Sequence, residues 1–177
     1  DYLHEIGVST SIRRVPTGIK VDEYRGGDHG WLRKKFNVPA DDKVLLFVGR
    51  LGQEKNIGFL IESFKIINRE MQNSTLVLVG GGPEEEELKN KAGIHYIGGK
   101  VIFTGTLPFG DVINCYAGSD LFVFSSVSET QGIVIAEAKA AGLPVVAVDA
   151  FGVSEMVNDG VDGYLTKLDP GQFAETV

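Results

Sequence analysis

The chain has 177 residues, 43% of them apolar, and carries 17 Lys and Arg against 24 Asp and Glu, a net charge of −7. That length suits one domain with its own core, and the acidic balance argues against a general nucleic-acid surface or a basic membrane patch. No window approaches the roughly 20 apolar residues that span a bilayer, the start lacks a secretory pattern, and the lone Cys115 excludes an internal disulfide, so a soluble, cytoplasmic protein with a buried thiol is expected.

Residues 1–40 lack sustained periodicity. Pro16 and Gly18 mark a turn, and a short helix is expected over 28–36. From Lys43 the pattern becomes regular: Val44-Leu45-Leu46-Phe47-Val48 reads as a buried strand ending in Gly49-Arg50. A helix is expected over about 56–70, because Ile57, Leu60, Ile61, Phe64 and Ile67 recur at helical spacing. Thr75 to Val79 reads as a second strand, followed by Gly80-Gly81-Gly82 and by Pro83 opening a helix whose first turn holds Glu84 to Glu87. Further strands are expected at Val101 to Thr104, Asp120 to Phe124 and Pro144 to Val148, alternating with helices at Asp111 to Ala117 and Gly132 to Ala141. Strands alternating with helices at this spacing indicate a parallel sheet covered on both faces. The chain opens on Asp1 and closes on Gln172 to Val177, which reads as the first turns of an uncapped helix. It is therefore expected to be part of a longer protein.

Several tempting motifs have plainer readings. The three glycines are followed by no Gly-Lys-Ser/Thr and lack the dinucleotide spacing, so a structural turn is favoured over a phosphate cradle. The glutamate run after them reads as a solvated helix start. His4, His29 and His95 have no Cys or His at ligand spacing, so no metal site is expected. No Gly-x-Ser-x-Gly elbow is present, which leaves a nucleophilic hydrolase little support.

Two charged clusters stand apart. Arg50 and Lys55 lie in the loop leaving the first regular strand, and a guanidinium with an ammonium suits the clamping of a diphosphate. Glu129 lies in the loop after Leu121 to Phe124, and Glu137 lies eight positions on, inside the expected helix. In parallel sheets ligands bind outside the carboxyl ends of the strands, where helix N-terminal amides meet anions. Paired carboxylates also serve glycoside hydrolysis, but with a glycine and a helix start between them, nucleotide-sugar contacts are favoured.

With these residues the sequence resembles the C-terminal, donor-binding domain of the retaining glycosyltransferases of family 4, also called glycosyltransferase group 1, which have the two-domain GT-B fold. The matching pieces are Val15 to Ile19, Phe47 to Leu51 with Glu54-Lys55-Asn56, Leu78 to Pro83 and Val101 to Gly105, then Ser119 to Val123, Glu129 to Glu137, Ala141 to Val146 and Asn158 to Gly163. The resemblance implies a Rossmann-like three-layer α/β/α domain over 41–177, preceded by an interdomain crossing segment and leading helix over 1–40. It implies Arg50 and Lys55 on the donor pyrophosphate, Glu129 as the catalytic carboxylate on the sugar hydroxyls, and Glu137 on the ribose. Backbone amides of Gln131, Gly132 and Ile133 face the distal phosphate and sugar, and Leu107 edges the base.

The implied partner is a UDP-, GDP- or ADP-hexose, used without a metal or other cofactor and with retention. The acceptor, a lipid or polysaccharide precursor, belongs to an N-terminal domain to which nothing here corresponds. The 177 residues alone are accordingly expected to bind donor weakly or not at all. Thr130-Gln131 stands where many members have an aromatic residue or glycine, and Glu-Thr-Gln-Gly is similar to bacterial glucosyltransferases acting on diacylglycerol. That likeness leaves open peripheral membrane association of the longer protein, at the inner face. Two alternatives also stay open: a nucleotide-sugar epimerase of related GT-B fold, and a non-enzymatic nucleotide-binding module.

Overall fold

The computed structural model describes residues 2–13, 15, 17–93 and 99–177. The turn expected at Pro16 and the reading of His95 lie outside the described residues. Before the first strand come α1 (Tyr2–Glu5), a 3-10 turn at Val21–Tyr24, and α2 (Trp31–Phe36). The regular part runs β1 (Lys43–Val48), α3 (Ile57–Glu70), β2 (Ser74–Val79), α4 (Glu85–Ala92), β3 (Val101–Gly105), α5 (Phe109–Ala117), β4 (Leu121–Phe124), α6 (Ile133–Ala140) and β5 (Val145–Val148), then β6 (Gly163–Thr166) and α7 (Pro170–Thr176).

The six strands form one parallel sheet in the order β3-β2-β1-β4-β5-β6. The run Val44 to Phe47 is buried on both sides, as strands sandwiched between helices must be. Two groups of helices do the covering: α3 packs against α4 and α7, while α2 packs on α5, and α5 and α6 both meet the Val21–Tyr24 turn. The helical stripe Ile57, Leu60, Ile61, Phe64 and Ile67 is buried throughout. Its neighbour Phe59 meets Phe173 of α7 edge to face at 5.4 Å between centroids.

The chain order reverses between β1 and β4. From β1 the sheet first grows toward β2 and β3, and the chain then returns to add β4, β5 and β6 on the other side. β1 matches β2 along its whole length, from Lys43 opposite Ser74 to Val48 opposite Val79, but meets β4 only at Leu45 with Leu121 and Leu46 with Phe122. Asp120 reinforces that short join, its Oδ2 accepting from the Val44 amide at 2.8 Å while Arg33 and Lys43 each lie 3.3 Å away.

Three expectations need correction. α4 begins at Glu85 with Glu84 at its N-cap, so Pro83 precedes the helix rather than opening it. The last helix begins at Pro170, not Gln172, and is capped: the Asp169 carboxylate accepts from the Gln172 amide at 2.8 Å. Gly132 is the N-cap of α6, with φ 59°, rather than its first helical residue. The strand Gly163–Thr166 and the Val21–Tyr24 turn were not anticipated. Cys115 is fully buried, and burial first, then the nearby Asp111 charge, pushes its thiol up to about 12.

Candidate functional site

The strand order reverses at the neighbouring strands β1 and β4, whose following helices α3 and α6 pack with different partners, and in sheets of this kind the crevice for a ligand lies outside the carboxyl ends of the strands at that point. Both charged clusters lie on loops at this point. The β1 loop is folded tightly onto the turn after β2. The Leu51 amide donates to Gly81 O at 3.0 Å, and Gly80, with φ 128°, approaches so closely that a Cβ there would lie 2.0 Å from Gly49 O. The glycine triplet is thus a structural turn that seats the β1 loop.

Two buried serines at the end of β4 fix the other side of this loop. Ser125 Oγ donates to Lys55 O at 2.7 Å and Asn56 O at 3.1 Å, and Ser126 Oγ donates to Glu54 O at 3.0 Å. Asn56 then starts α3 from a left-handed conformation, with φ 51°. The backbone of Lys55 is therefore held from beneath, and its side chain crosses to the other loop.

There Lys55 Nζ lies 2.6 Å from Glu129 Oε2 and 5.7 Å from the Phe124 ring centroid. Glu129 Oε1 accepts from the amides of Thr130 at 3.0 Å and Gln131 at 3.4 Å. Burial, the strongest influence, tends to raise this carboxyl, but the Lys55 ammonium and the amides of Gly132 and Gln131 outweigh it and hold the group below the ordinary carboxylate range. Glu129 is therefore an oriented carboxylate at neutral pH. Its backbone is pinned from behind by Gly152, where φ is 80° and a Cβ would stand 2.1 Å from Glu129 O.

Each residue singled out in the sequence can now be placed. Lys55 and Glu129, 74 positions apart, are brought together. Arg50 stands on the same loop, two-thirds exposed, with Nη1 4.0 Å from Glu54 and not paired with Glu129. Gln131 is exposed, Gly132 buried and Ile133 half-buried at the start of α6. Gln131 and Ile133 line a cavity of about 220 Å³ shared with Thr17, Ile19 and Met156. Leu107 is half-buried in the loop after β3, against the core. Glu137 lies one turn into α6 beyond the helix start, and both its oxygens are engaged: Oε1 accepts from Tyr24 and Oε2 from Tyr116, each at 2.9 Å.

These two phenols, and the serines under Lys55, escaped sequence reasoning. Nothing in their local spacing marks them, because each contact is made only after the sheet order is set. A larger groove of about 560 Å³ lies at the amino ends of β4, β5 and β6, among Leu121, Pro144, Val145 and Gly163, away from both charged clusters. Among the described residues no group of three or more His, Cys, Asp or Glu could hold a metal ion, and no helix is long and apolar enough to cross a membrane.

Comparison with known proteins identifies the family and the fold. The model of the family "Glycosyl transferases group 1" matches residues 31–177. Alpha-monoglucosyldiacylglycerol synthase of Streptococcus pneumoniae is 32% identical over 170 residues, which are 93% of this chain and 38% of that protein. The crystal structure of Anabaena Alr3699/HepE, solved with UDP and glucose, superposes with a TM-score of 0.78 at 30% identity, covering 90% of this chain and 44% of that one. The C-terminal domain of LpcC, a group 1 family protein of Francisella tularensis, was crystallised by itself and shares the fold, with a TM-score of 0.77 at 21% identity over 89% of this chain and 85% of that one. The chain thus spans about two-fifths of the length of the first two.

Proposed function

We propose that this chain, which belongs to the group 1 glycosyl transferases, is the half of such an enzyme that holds a uridine diphosphate hexose and presents its anomeric carbon to an acceptor. The observation that carries this reading is the Lys55–Glu129 pair at the point where the strand order reverses, a cation and an oriented carboxylate 2.6 Å apart beside a helix start. UDP in the Anabaena neighbour supports uracil as the base. Residues 1–40 are read as the segment entering from the acceptor-binding domain, and 41–177 as the donor domain.

In this reading Arg50 and Lys55 hold the pyrophosphate, each charge-assisted hydrogen bond contributing about 1.5–3 kcal/mol. Lys55 then serves two anions, Glu129 and the diphosphate. Glu129 accepts from the sugar hydroxyls, and Glu137 from those of the ribose. The amides of Gln131, Gly132 and Ile133 face the distal phosphate and sugar, and Leu107 edges the base. As the bond from C1 to the phosphate oxygen breaks, its electron pair goes to the diphosphate, whose growing charge falls on cations and amides already in place. The acceptor oxygen bonds C1 from the face the diphosphate leaves, which preserves the anomeric configuration, and its hydroxyl proton passes to the departing phosphate.

For the acceptor, Phe151 is 81% exposed next to Gly152, which packs on Glu129, and Val127 is exposed two residues before it. Apolar side chains beside the sugar position support an acceptor with an apolar part, in keeping with the diacylglycerol in the name of the pneumococcal relative. A peripheral site at the inner face of the membrane would suit such an acceptor.

Calorimetry with UDP, GDP, ADP and their glucose conjugates tests the proposal. In the full-length enzyme that contains this chain UDP and UDP-glucose should bind, and Arg50→Ala and Glu137→Ala should each weaken them. Binding that survives both changes would overturn the site assignment.

A further inference from the structure

Glu137 is more constrained than a surface helix residue of its type. A free glutamate loses up to about 2 kcal/mol of rotamer freedom when a ligand fixes it. Here that freedom is already gone, because one phenol donates to each carboxylate oxygen at 2.9 Å. Both donors are core residues, Tyr24 at 5% and Tyr116 at 0% exposure. They meet edge to face at 6.0 Å, and Phe109 packs on Tyr24 at 5.8 Å, so the rings cannot swing. Burial first, and then the Glu137 carboxylate, raises the Tyr24 phenol to about 12 and drives that of Tyr116 well above its ordinary value. Both therefore remain donors at any working pH.

A carboxylate offers about four acceptor positions. Two are used by the phenols. Two remain, the number that a vicinal diol requires. We propose that Tyr24 and Tyr116 are positioning residues for ribose recognition, holding Glu137 with one lone pair of each oxygen free for the 2′- and 3′-hydroxyls of the donor. This rests on the assignment of Glu137 to the ribose made above. The two phenols come from different places: Tyr116 from α5 within the sheet domain, Tyr24 from the turn that precedes β1. Tyr24 therefore makes the grip on the ribose depend on the seating of the 1–40 segment, and joins nucleotide binding to the position of whatever that segment leads from.

Calorimetry with UDP and 2′,3′-dideoxy-UDP tests this on the full-length enzyme that contains this chain, as wild type, Tyr24→Phe, Tyr116→Phe and Glu137→Gln, with thermal unfolding run beside each. Wild type should prefer UDP. Each phenylalanine variant should weaken UDP by about five- to tenfold, the worth of one ordinary hydrogen bond, since Glu137 stays in place with one phenol still holding it, and leave dideoxy-UDP unchanged. A purely structural role would weaken both nucleotides alike, and that result, or unchanged preference in both variants, overturns the positioning role. If Glu137→Gln keeps the full preference for UDP, or wild type binds neither nucleotide, the ribose assignment itself falls.

Discussion

Lys55→Met removes one charge from the centre of the crevice and leaves the other behind. The two groups lie 2.6 Å apart, with 20% of the Lys55 side chain and 13% of that of Glu129 exposed. At an effective dielectric of about 20, a gross attraction of roughly 6 kcal/mol follows from Coulomb's law, most of it offset by desolvation. Removing one partner of a buried pair costs about 3–5 kcal/mol. Residual exposure and the amides that still bind Glu129 bring the expectation to about 2–3 kcal/mol, a melting temperature lower by roughly 4–10 °C for a domain of this size.

The pH dependence provides the sharper test. In the wild type the folded carboxyl lies below its unfolded value of about 4.3, so its contribution is present above that pH and is lost as pH falls through the folded value. Without Lys55, burial is opposed only by backbone amides, those of Thr130, Gln131 and Gly132, and the carboxyl should rise above the unfolded value. Its protonated form then favours folding at low pH, and that contribution is lost as pH climbs. The gap in melting temperature between variant and wild type should therefore be wide near pH 7 and narrow near pH 4. A gap of the same size at both, or one below about 1 °C at neutral pH, would show that the pair is an ordinary screened surface contact.

Gly152→Ala places a Cβ 2.1 Å from Glu129 O at a φ of 80°, and should cost about 1–3 kcal/mol while weakening UDP-glucose more than UDP; a stable variant with unchanged binding would remove Gly152 from the site. Arg50→Ala should change the melting temperature little, since the side chain is 67% exposed, yet weaken UDP about tenfold or more, which calorimetry beside a thermal scan would separate. Cys115, fully buried with a thiol pushed up to about 12, should resist a thiol reagent until the chain unfolds; rapid labelling of the native protein would contradict its burial.

What the sequence makes legible follows from range. β1, β2 and β4 can be read because each is an unbroken apolar run, and α3 because its apolar residues recur at helical spacing. β6 is hidden because Gly163 to Thr166 is short and its Tyr164 is half exposed at the sheet edge. The start of α7 is hidden because Pro170 and Gly171 hide a helix that Asp169 caps. In the crevice Lys55 and Glu129 can each be chosen by residue type and loop position. Their pairing cannot, since it depends on β4 returning beside β1. Tyr24 and Tyr116 lie further from reach: they stand 113 and 21 positions from Glu137, and a tyrosine in an apolar setting looks the same whether its hydroxyl serves the core or a site.

The sheet is sewn unevenly. β1 and β2 are joined along six residues each, but β1 and β4 along two, so the β1-β2-β3 half and the β4-β5-β6 half meet at a short seam. Its closure at the carboxyl end is left to Ser125, Ser126 and the Lys55–Glu129 contact. Local opening should begin along this line, since amides with few ladder partners exchange with solvent most readily. A ligand gripping both loops then acts as a staple across the seam, and slowed hydrogen exchange at Asp120, whose amide donates to Val44 O across it, with β2 already protected, would mark its arrival.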